Sequence, residues 1–469
     1  MPPRNLLIRN VEIDGVCGQA VRIAAGRIVE VGPNLAAAPD ELDGRGGALL
    51  PGLIDHHIHL LATAARSDSL ALDTVRAPAE FSARLGAYAA LQAPGSWVRA
   101  VGYHERMAGL LSREDLDLLV PLHPVRIQHQ TGSLWMLNSR ALAIVADGET
   151  PPCVERDGSG SATGRIWRGD AWLAERLGAA SPALAPLGAR LAALGVTGLM
   201  DASVSTDDRS ASILADARRT GELPQRLALM SGGFLEGPLD AAFRVGPLKI
   251  MLDEHDLPPL DDIVHRIGMA RSWDRNVAVH CVTAAELAFT LAAFETAGAK
   301  PGDRIEHGGM IPADAIAVIA GLGLTVVTQP GFVFERGDRY LADIDPTEHS
   351  DLYRCASLLA AGVPVASSSD APYSAPDPWA AMRTAVRRRT RDGLSLGSHE
   401  RVDAAIALQL HLGAFDAPGG RLRRVVQDEP ADLCLLKTPR REALAALSSD
   451  LVAATIIQGE IVYLEARAG

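Results

Sequence analysis

Aromatic side chains are scarce in this sequence, whose 469 residues include only eight Phe, six Trp and six Tyr. The composition therefore gives no strong indication that stacking holds a large aromatic ligand. Cysteine is also rare, with five residues scattered along the chain and no CxxC pair among them. This pattern argues against a disulfide framework and predicts reduced thiols in a cytoplasmic protein.

Long apolar runs and an excess of basic charge are missing as well. No stretch reaches the roughly 18 apolar residues that a membrane-spanning helix needs, and Met1–Gly15 lacks the apolar core of a signal peptide. The 45 basic and 57 acidic residues give a net charge of −12, which argues against nucleic acid or an anionic membrane as the main partner. We expect a small-molecule substrate instead. The sequence leaves the oligomeric state open, with a homodimer as one alternative.

Short β-type runs and Ala-rich helical stretches alternate through the middle of the chain. The candidate strands are residues 53–59, 197–200, 226–230, 248–252, 277–280, 304–307, 324–327 and 364–367. Strands separated by helices predict a parallel α/β fold, and eight of them predict a (β/α)8 TIM barrel. In such a barrel, reactive groups lie at the C-terminal ends of the strands.

The two ends of the chain do not follow this alternation. Residues 1–50 and 416–469 consist of short strands and turns, and neither end has enough apolar area to be stable alone. We therefore predict that they pair into one discontinuous small β-sandwich. The barrel is then predicted over residues 51–62 and 186–415.

A long stretch after the first barrel strand does not fit a single β/α step either. Residues 63–185 contain candidate strands of their own at 97–102 and 125–129, and a Gly- and Asp-rich turn at 157–160. We interpret this stretch as an insertion that covers the mouth of the barrel.

The segment Leu50–Leu60 reads LPGLIDHHIHL and is the most informative part of the sequence. Side chains alternate along a strand, so Asp55, His57 and His59 are predicted to share one face, with His56 on the other. His57 and His59 then lie roughly 6.5–7 Å apart at Cα and can converge on one cation. A His-rich polar turn is the alternative, but three histidines in four residues after an apolar run favour a metal site.

Further polar residues occur in or just after other predicted strands. They are Lys249 in the fourth strand, His280 in the fifth, His307 in the sixth and Asp370 after the eighth. Imidazoles, a carboxylate and a buried lysine on one barrel rim suit a divalent metal. Each has a simpler interpretation, such as a core histidine, a lysine that reaches the surface or a turn aspartate. Their distribution over different strands of one barrel favours the metal site.

Several of these segments resemble known motifs. The segments PGLIDHHIH at 51–59, VH at 279–280, RIEH at 304–307 and SSDAP at 368–372 closely resemble the signature of the amidohydrolase superfamily. The finer pattern resembles the amidohydrolase 3 (YtcJ-like) family through VGYHE at 101–105, NSRAL at 138–142, LKI at 248–250 and QP at 329–330. The resemblance covers essentially the whole chain.

The resemblance implies a binuclear metal centre. His57 and His59 would hold the more buried ion, and His280 and His307 the more exposed one. Lys249 would be carboxylated by carbon dioxide, and its carbamate would bridge both ions, because an ammonium group cannot ligate a cation. The expected metal is zinc, with cobalt, manganese or iron as alternatives.

The resemblance also implies a reaction and a general base. Two cations would share a hydroxide, because their charge lowers the pKa of water from about 15.7 toward about 7. This hydroxide would attack the substrate carbonyl, while Asp370, also a metal ligand, would accept the proton and return it to the leaving nitrogen. The expected activity is hydrolysis of an amide-type C–N bond in an N-acyl, N-formyl, cyclic amide, urea or carbamate substrate. An esterase or lactonase, and a non-catalytic binding protein on the same scaffold, are the alternatives.

The predicted insertion supplies the candidate substrate-binding residues. They are Tyr103, His104, Glu105, Trp135 and Asn138. The family often has Trp-Asp-Glu where this chain has Tyr103-His104-Glu105, and often a histidine where Ser133 stands. These departures affect the expected substrate and leave the metal-ligand set intact. Glu306, which precedes His307, is expected to point off the other face of its strand, and either to be structural or to support a metal ligand.

Overall fold

The structure is a computed structural model that describes residues 5–177 and 182–466. The chain divides into two compact units, Met1–Leu60 with Leu184–Gly469, and Leu61–Ala183. Across the two described ranges, every helix is too short or too polar to cross a lipid bilayer.

The first unit is built around an eight-stranded sheet. Its strands are β1 Leu53–Ile58, β2 Val196–Asp201, β3 Arg226–Ser231, β4 Arg244–Ile250, β5 Val277–Cys281, β6 Arg304–His307, β7 Thr325–Thr328 and β8 Val365–Ser367. Each strand pairs in parallel with the next one along the chain. Just after β8, the Asp370 N–H donates to the His57 carbonyl oxygen in β1 at 2.8 Å, so the sheet nearly closes on itself. The predicted TIM barrel is confirmed, and every predicted strand overlaps an observed one.

Helices connect and surround these strands. They are Ala185–Ala193, Asp208–Thr220, Leu260–Ser272, Ala284–Ala297, Ala315–Gly321, Gly331–Asp343, Ala356–Ala360, Pro378–Arg387, Ala404–Gln409 and Arg440–Ala446, with 3-10 turns at Pro346–Asp351, Ser398–Glu400 and Ser449–Leu451. The helix Ala284–Ala297 illustrates how they pack. Thr283 and Glu286 form a capping box at its start. Leu287, Leu291 and Phe294 then recur at helical spacing and are buried against the sheet.

Side chains fill the interior of the barrel. Met200, Ala228, Met230 and Ala278 form a buried cluster there, from strands β2, β3 and β5. The barrel is thus a packed core, and its polar residues lie at the strand ends.

Two further sheets of the first unit come from the chain ends. One contains Arg27–Gly32, Val16–Ala24, Leu6–Ile13 and Asp40–Asp43, and the other contains Glu460–Leu464, Val452–Ile457, Leu433–Leu436 and Leu49–Pro51, in these spatial orders. Residues of both sheets share one hydrophobic cluster. Gly47 permits a close backbone approach, because a Cβ there would lie 1.8 Å from the Leu436 carbonyl oxygen. A small hairpin, Gly413–Ala414 with Ala417–Leu422, follows the barrel. The predicted domain boundaries stay predictions.

The second unit contains a six-stranded sheet of its own. In spatial order its strands are Val154–Arg156, Ala162–Trp167, Leu134–Leu137, Val125–His129, Val98–Tyr103 and Leu70–Ala71. Its helices are Leu60–Ser67, which begins at the last residue of the first unit, Pro78–Ala90, Glu105–Ala108, Arg113–Leu119, Ser139–Val145 and Asp170–Leu177. The strands Val98–Tyr103 and Val125–His129 match those predicted at 97–102 and 125–129. The proposal that this part of the chain covers the barrel mouth stays a prediction.

Candidate metal centre

Three predicted ligands converge at the C-terminal end of β1. The imidazole rings of His57 and His59 lie 5.4 Å apart between centroids. Asp370 Oδ1 lies 3.4 Å from His57 Nε2 and 3.2 Å from His59 Nε2. One ligand atom from each of the three side chains lies within 4.8 Å of the others. Two imidazoles and one carboxylate at this spacing can hold a single divalent cation.

The backbone around β1 and β8 fixes Asp370 in this position. The residue adopts a left-handed conformation with φ of +54°, which aspartate tolerates better than most side chains. Asp55 Oδ1 accepts hydrogen bonds from the backbone N–H groups of His57 at 3.2 Å and Ser369 at 3.0 Å. Burial raises the pKa of this carboxyl to about 6. Asp55, which the sequence placed on the same face as His57, thus ties the two strand ends together.

The other two predicted histidines lie on the same rim. The His307 ring centroid is 4.7 Å from that of His57 and 4.5 Å from that of His280. Asp370 Oδ2 lies 3.9 Å from His307 Nδ1. Burial, helped by the charge of Lys249, lowers the pKa of His280 to about 3. These imidazoles are therefore neutral, which is the form that binds cations.

Lys249 lies in β4 with only 1% of its surface exposed. Burial lowers the pKa of its amine, while the nearby carboxylates of Glu306 and Asp370 raise it. Within the described ranges, no hydrogen-bond partner is found for the buried rim atoms Lys249 Nζ, His57 Nε2 and Asp370 Oδ1. Unpartnered buried polar atoms are costly. Imidazoles, a carboxylate and an amine that can be carboxylated therefore fit a divalent metal centre at this rim.

Glu306 was expected on the other face of its strand, and this orientation was wrong, whereas the alternative that it supports a metal ligand agrees with its contacts. Its carboxylate contacts His57 Nδ1 and Arg304 Nε, and Arg304 also donates to the His56 carbonyl oxygen at 3.1 Å. The reason is the backbone of His307, whose φ of +71° breaks the alternation of the strand. A carboxylate can only accept, so His57 carries its proton on Nδ1 and keeps the Nε2 lone pair for a cation.

Two polar residues at other strand ends orient the remaining imidazoles. Gln329, directly after β7, places Oε1 at 2.9 Å from His307 Nδ1. Ser203, two residues after β2, places its hydroxyl at 3.0 Å from His59 Nδ1. The Gln329 oxygen accepts the Nδ1 proton of His307 and so directs its Nε2 toward a ligand, and the Ser203 hydroxyl can do the same for His59. Neither residue was predicted to orient a ligand, although each is a polar side chain just after a barrel strand.

Three of the predicted substrate-binding residues make internal contacts within the second unit. The Tyr103 hydroxyl donates to the Gly109 carbonyl oxygen at 2.7 Å, and Trp135 Nε1 donates to Asp170 at 2.8 Å. Asn138 is fully buried, and its amide hydrogen-bonds to the backbone of Val125, Ala141, Val120 and His123. These contacts stabilise the unit, and the predicted role of the three residues in substrate binding stays a prediction.

The other two, His104 and Glu105, lie together with His129. Glu105 Oε2 is 3.1 Å from His104 Nδ1 and 3.0 Å from His129 Nε2. The three side chains form a second group whose ligand atoms lie within 4.8 Å of one another. His129 was not among the predicted site residues, although it ends a predicted strand.

Comparisons with known proteins agree with the resemblance seen in the motifs. A sequence model of the amidohydrolase family matches residues 40–463. The N-substituted formamide deformylase of Arthrobacter pascens is 29% identical over 87% of each chain. YtcJ of Bacillus subtilis (strain 168), named as an amidohydrolase, is 23% identical over 90% of each chain. Among solved structures, an uncharacterized metal-dependent hydrolase from Pyrococcus horikoshii OT3 superposes with a TM-score of 0.70, covering 91% of this chain and 98% of its own at 18% identity.

Proposed function

This chain belongs to the amidohydrolase family, and from that membership we propose that it is a metal-dependent hydrolase of an amide-type C–N bond in a small molecule. The observation that carries the proposal is the convergence of His57, His59 and Asp370 at one end of the barrel. The similarity to an N-substituted formamide deformylase supports N-formyl and other N-acyl amines as the first substrates to examine.

The ligand assignment is part of the proposal. His57, His59 and Asp370 would hold one cation, and His280 and His307 would hold a second. Lys249, once carboxylated, would bind to both. When bound, such cations polarise a substrate carbonyl and make water acidic enough to ionise near neutral pH.

Asp370 has the main chemical role among the side chains. Its carboxylate accepts the proton of the attacking water and passes it to the leaving nitrogen as the C–N bond breaks. The products are then an amine and a carboxylic acid, which is formate for an N-formyl substrate. Glu306 and Gln329 act by holding His57 and His307 in the tautomer that presents Nε2.

The test combines metal analysis with a substrate panel. Protein purified without chelator should contain about one equivalent of divalent metal or more. It should hydrolyse at least one of a set of N-substituted formamides, N-acyl amines, cyclic amides and ureas. His59→Ala should lose metal and turnover, whereas His255→Ala should keep both, because the His255 side chain is 87% exposed and lies outside the rim.

Other outcomes would select the alternatives. Turnover of esters or lactones without turnover of any amide would replace amide hydrolysis with ester hydrolysis on the same centre. Metal content well below one equivalent in protein that turns over no substrate would favour a binding protein on this scaffold.

A further inference from the structure

The group of His104, Glu105 and His129 lies at the ends of two neighbouring parallel strands. Tyr103, at the end of Val98–Tyr103, pairs with His129, at the end of Val125–His129. The Gln130 N–H donates to the Tyr103 carbonyl oxygen at 2.8 Å and continues this pairing past the strand ends. Ligands bind preferentially at the C-terminal edge of parallel strands, and this edge brings two imidazoles and a carboxylate together.

The distances within this group match a metal site. A tetrahedral zinc ion with bonds of about 2.0–2.1 Å places its ligand atoms roughly 3.3 Å apart. Glu105 Oε2 lies 3.1 Å from His104 Nδ1 and 3.0 Å from His129 Nε2, and no pair in the group exceeds 4.8 Å. Only small side-chain rotations separate this arrangement from a three-ligand site.

The hydrogen bonds of His104 are a second, independent indication of a metal site. His104 Nδ1 accepts from the Arg106 N–H at 3.1 Å, so it carries a lone pair and no proton. A nitrogen lone pair and the Glu105 carboxylate, 3.1 Å apart, are both acceptors, and a cation between them would bind to both. Arg106 is exposed, so its N–H can then bind water.

The surroundings provide an orienting contact and an open position. His129 is buried, and its Nδ1 accepts from the Thr131 N–H at 3.3 Å and lies 2.8 Å from the Thr131 hydroxyl. A cation at Nε2 would require the ring proton to move to Nδ1, where that hydroxyl can accept it. The Glu105 side chain is 48% exposed, so water can occupy a fourth coordination position. Three protein ligands and one water is a common arrangement for zinc.

We propose that His104, Glu105 and His129 bind a divalent cation of the zinc type. The site would fasten the loop after one strand to the end of its neighbour. It shares no residue with the barrel rim and does not depend on the proposed hydrolase activity.

Zinc content measured in a protein without the barrel ligands tests the proposal. In a background in which His57, His59, His280 and His307 are all replaced by alanine, equilibrium dialysis and elemental analysis should find about one equivalent of zinc at this group. Adding Glu105→Gln or His129→Ala should weaken that binding at least roughly tenfold. Glu114→Gln is the matched control for the carboxylate, since its side chain is 62% exposed and lies outside the group. His255→Ala serves the same purpose for the imidazoles.

Hydrogen exchange provides a readout that does not depend on the variants folding. Added zinc should slow exchange at residues 103–109 and 129–132 in both the wild type and the barrel-ligand background. The proposal would be wrong if Glu105→Gln and His129→Ala contained as much zinc as their controls and if zinc left the hydrogen exchange unchanged. The three side chains would then share a proton and bind no metal. Loss of zinc in Glu105→Gln with unchanged zinc in Glu114→Gln would support this site without bearing on the barrel centre. A barrel that binds no metal would leave the result at this site unchanged.

Discussion

Replacing Glu306 by glutamine tests whether the barrel rim orients His57 for metal binding. The carboxylate of Glu306 is completely buried and accepts from two donors, His57 Nδ1 and Arg304 Nε. A glutamine amide has one acceptor oxygen and an NH2 group that only donates. If its oxygen faces Arg304, its NH2 group confronts the His57 Nδ1 proton. His57 must then move that proton to Nε2, which removes the lone pair that faces Asp370.

The size of both effects follows from these contacts. Losing the partner that orients a metal-binding histidine typically lowers metal affinity 10–100-fold, about 1.4–2.7 kcal/mol. Arg304 is only 1% exposed and would lose its carboxylate, and removing one partner of a buried ion pair costs about 3–5 kcal/mol of unfolding free energy. Glu306→Gln should therefore lower both metal affinity and stability.

A matched control separates these two losses. Glu400 is also completely buried, pairs with Arg354 at 2.8 Å and touches none of the predicted ligands. Glu400→Gln should destabilise the protein to a similar degree and leave metal affinity unchanged. Zinc affinity would be measured by competition with a chromophoric chelator, and stability by thermal unfolding of the metal-free proteins. Equal zinc affinity in Glu306→Gln and Glu400→Gln would refute the orienting role of Glu306.

Three further substitutions address other parts of the proposal. Lys249→Ala should reduce the metal content and the rate, with partial recovery on adding a short carboxylic acid that replaces the carbamate, and full activity in this variant would exclude a carbamate bridge. Asp370→Asn should lose turnover by roughly 10²–10⁴-fold while metal is still detected by elemental analysis, as expected for a general base, and a near-normal rate would assign the proton transfer to another group. Asn138→Ala should cost roughly 2–4 kcal/mol of unfolding free energy in the second unit, because it removes a helix cap and leaves buried backbone groups unpaired. An unchanged melting temperature with a raised KM would instead support its predicted role in substrate binding.

The barrel strands and the convergence at β1 were predictable because local patterns determine them. An apolar run that ends in alternating histidines requires only strand geometry to place His57 and His59 on one face. The strand β4 was less accurately predicted, at 248–252, and it begins at Arg244. The segment from Arg244 pairs with β3 before the register shifts, so the strand continues through Gly246 and Pro247.

The contacts that orient the imidazoles were not predictable in the same way. Glu306 meets His57 across 249 positions of sequence, and Ser203 meets His59 across 144. No local period encodes such pairs, since they arise only when the strands lie side by side. Strict alternation along the strand would place Glu306 and His307 on opposite faces. The left-handed backbone of His307 instead directs both side chains into the barrel.

The arrangement of the ligands at the rim also depends on closure of the barrel. Asp370 faces His57 and His59 only because its N–H is bonded to the His57 carbonyl oxygen and because Asp55 holds the N–H of Ser369. These bonds join the first and last strands, so a sheet that opened between them would separate the carboxylate from both imidazoles. A cation bound by all three side chains would in turn favour the closed sheet, since a ligand that binds only the folded arrangement stabilises it. Metal affinity and barrel closure are therefore coupled through the ligands at the end of β1.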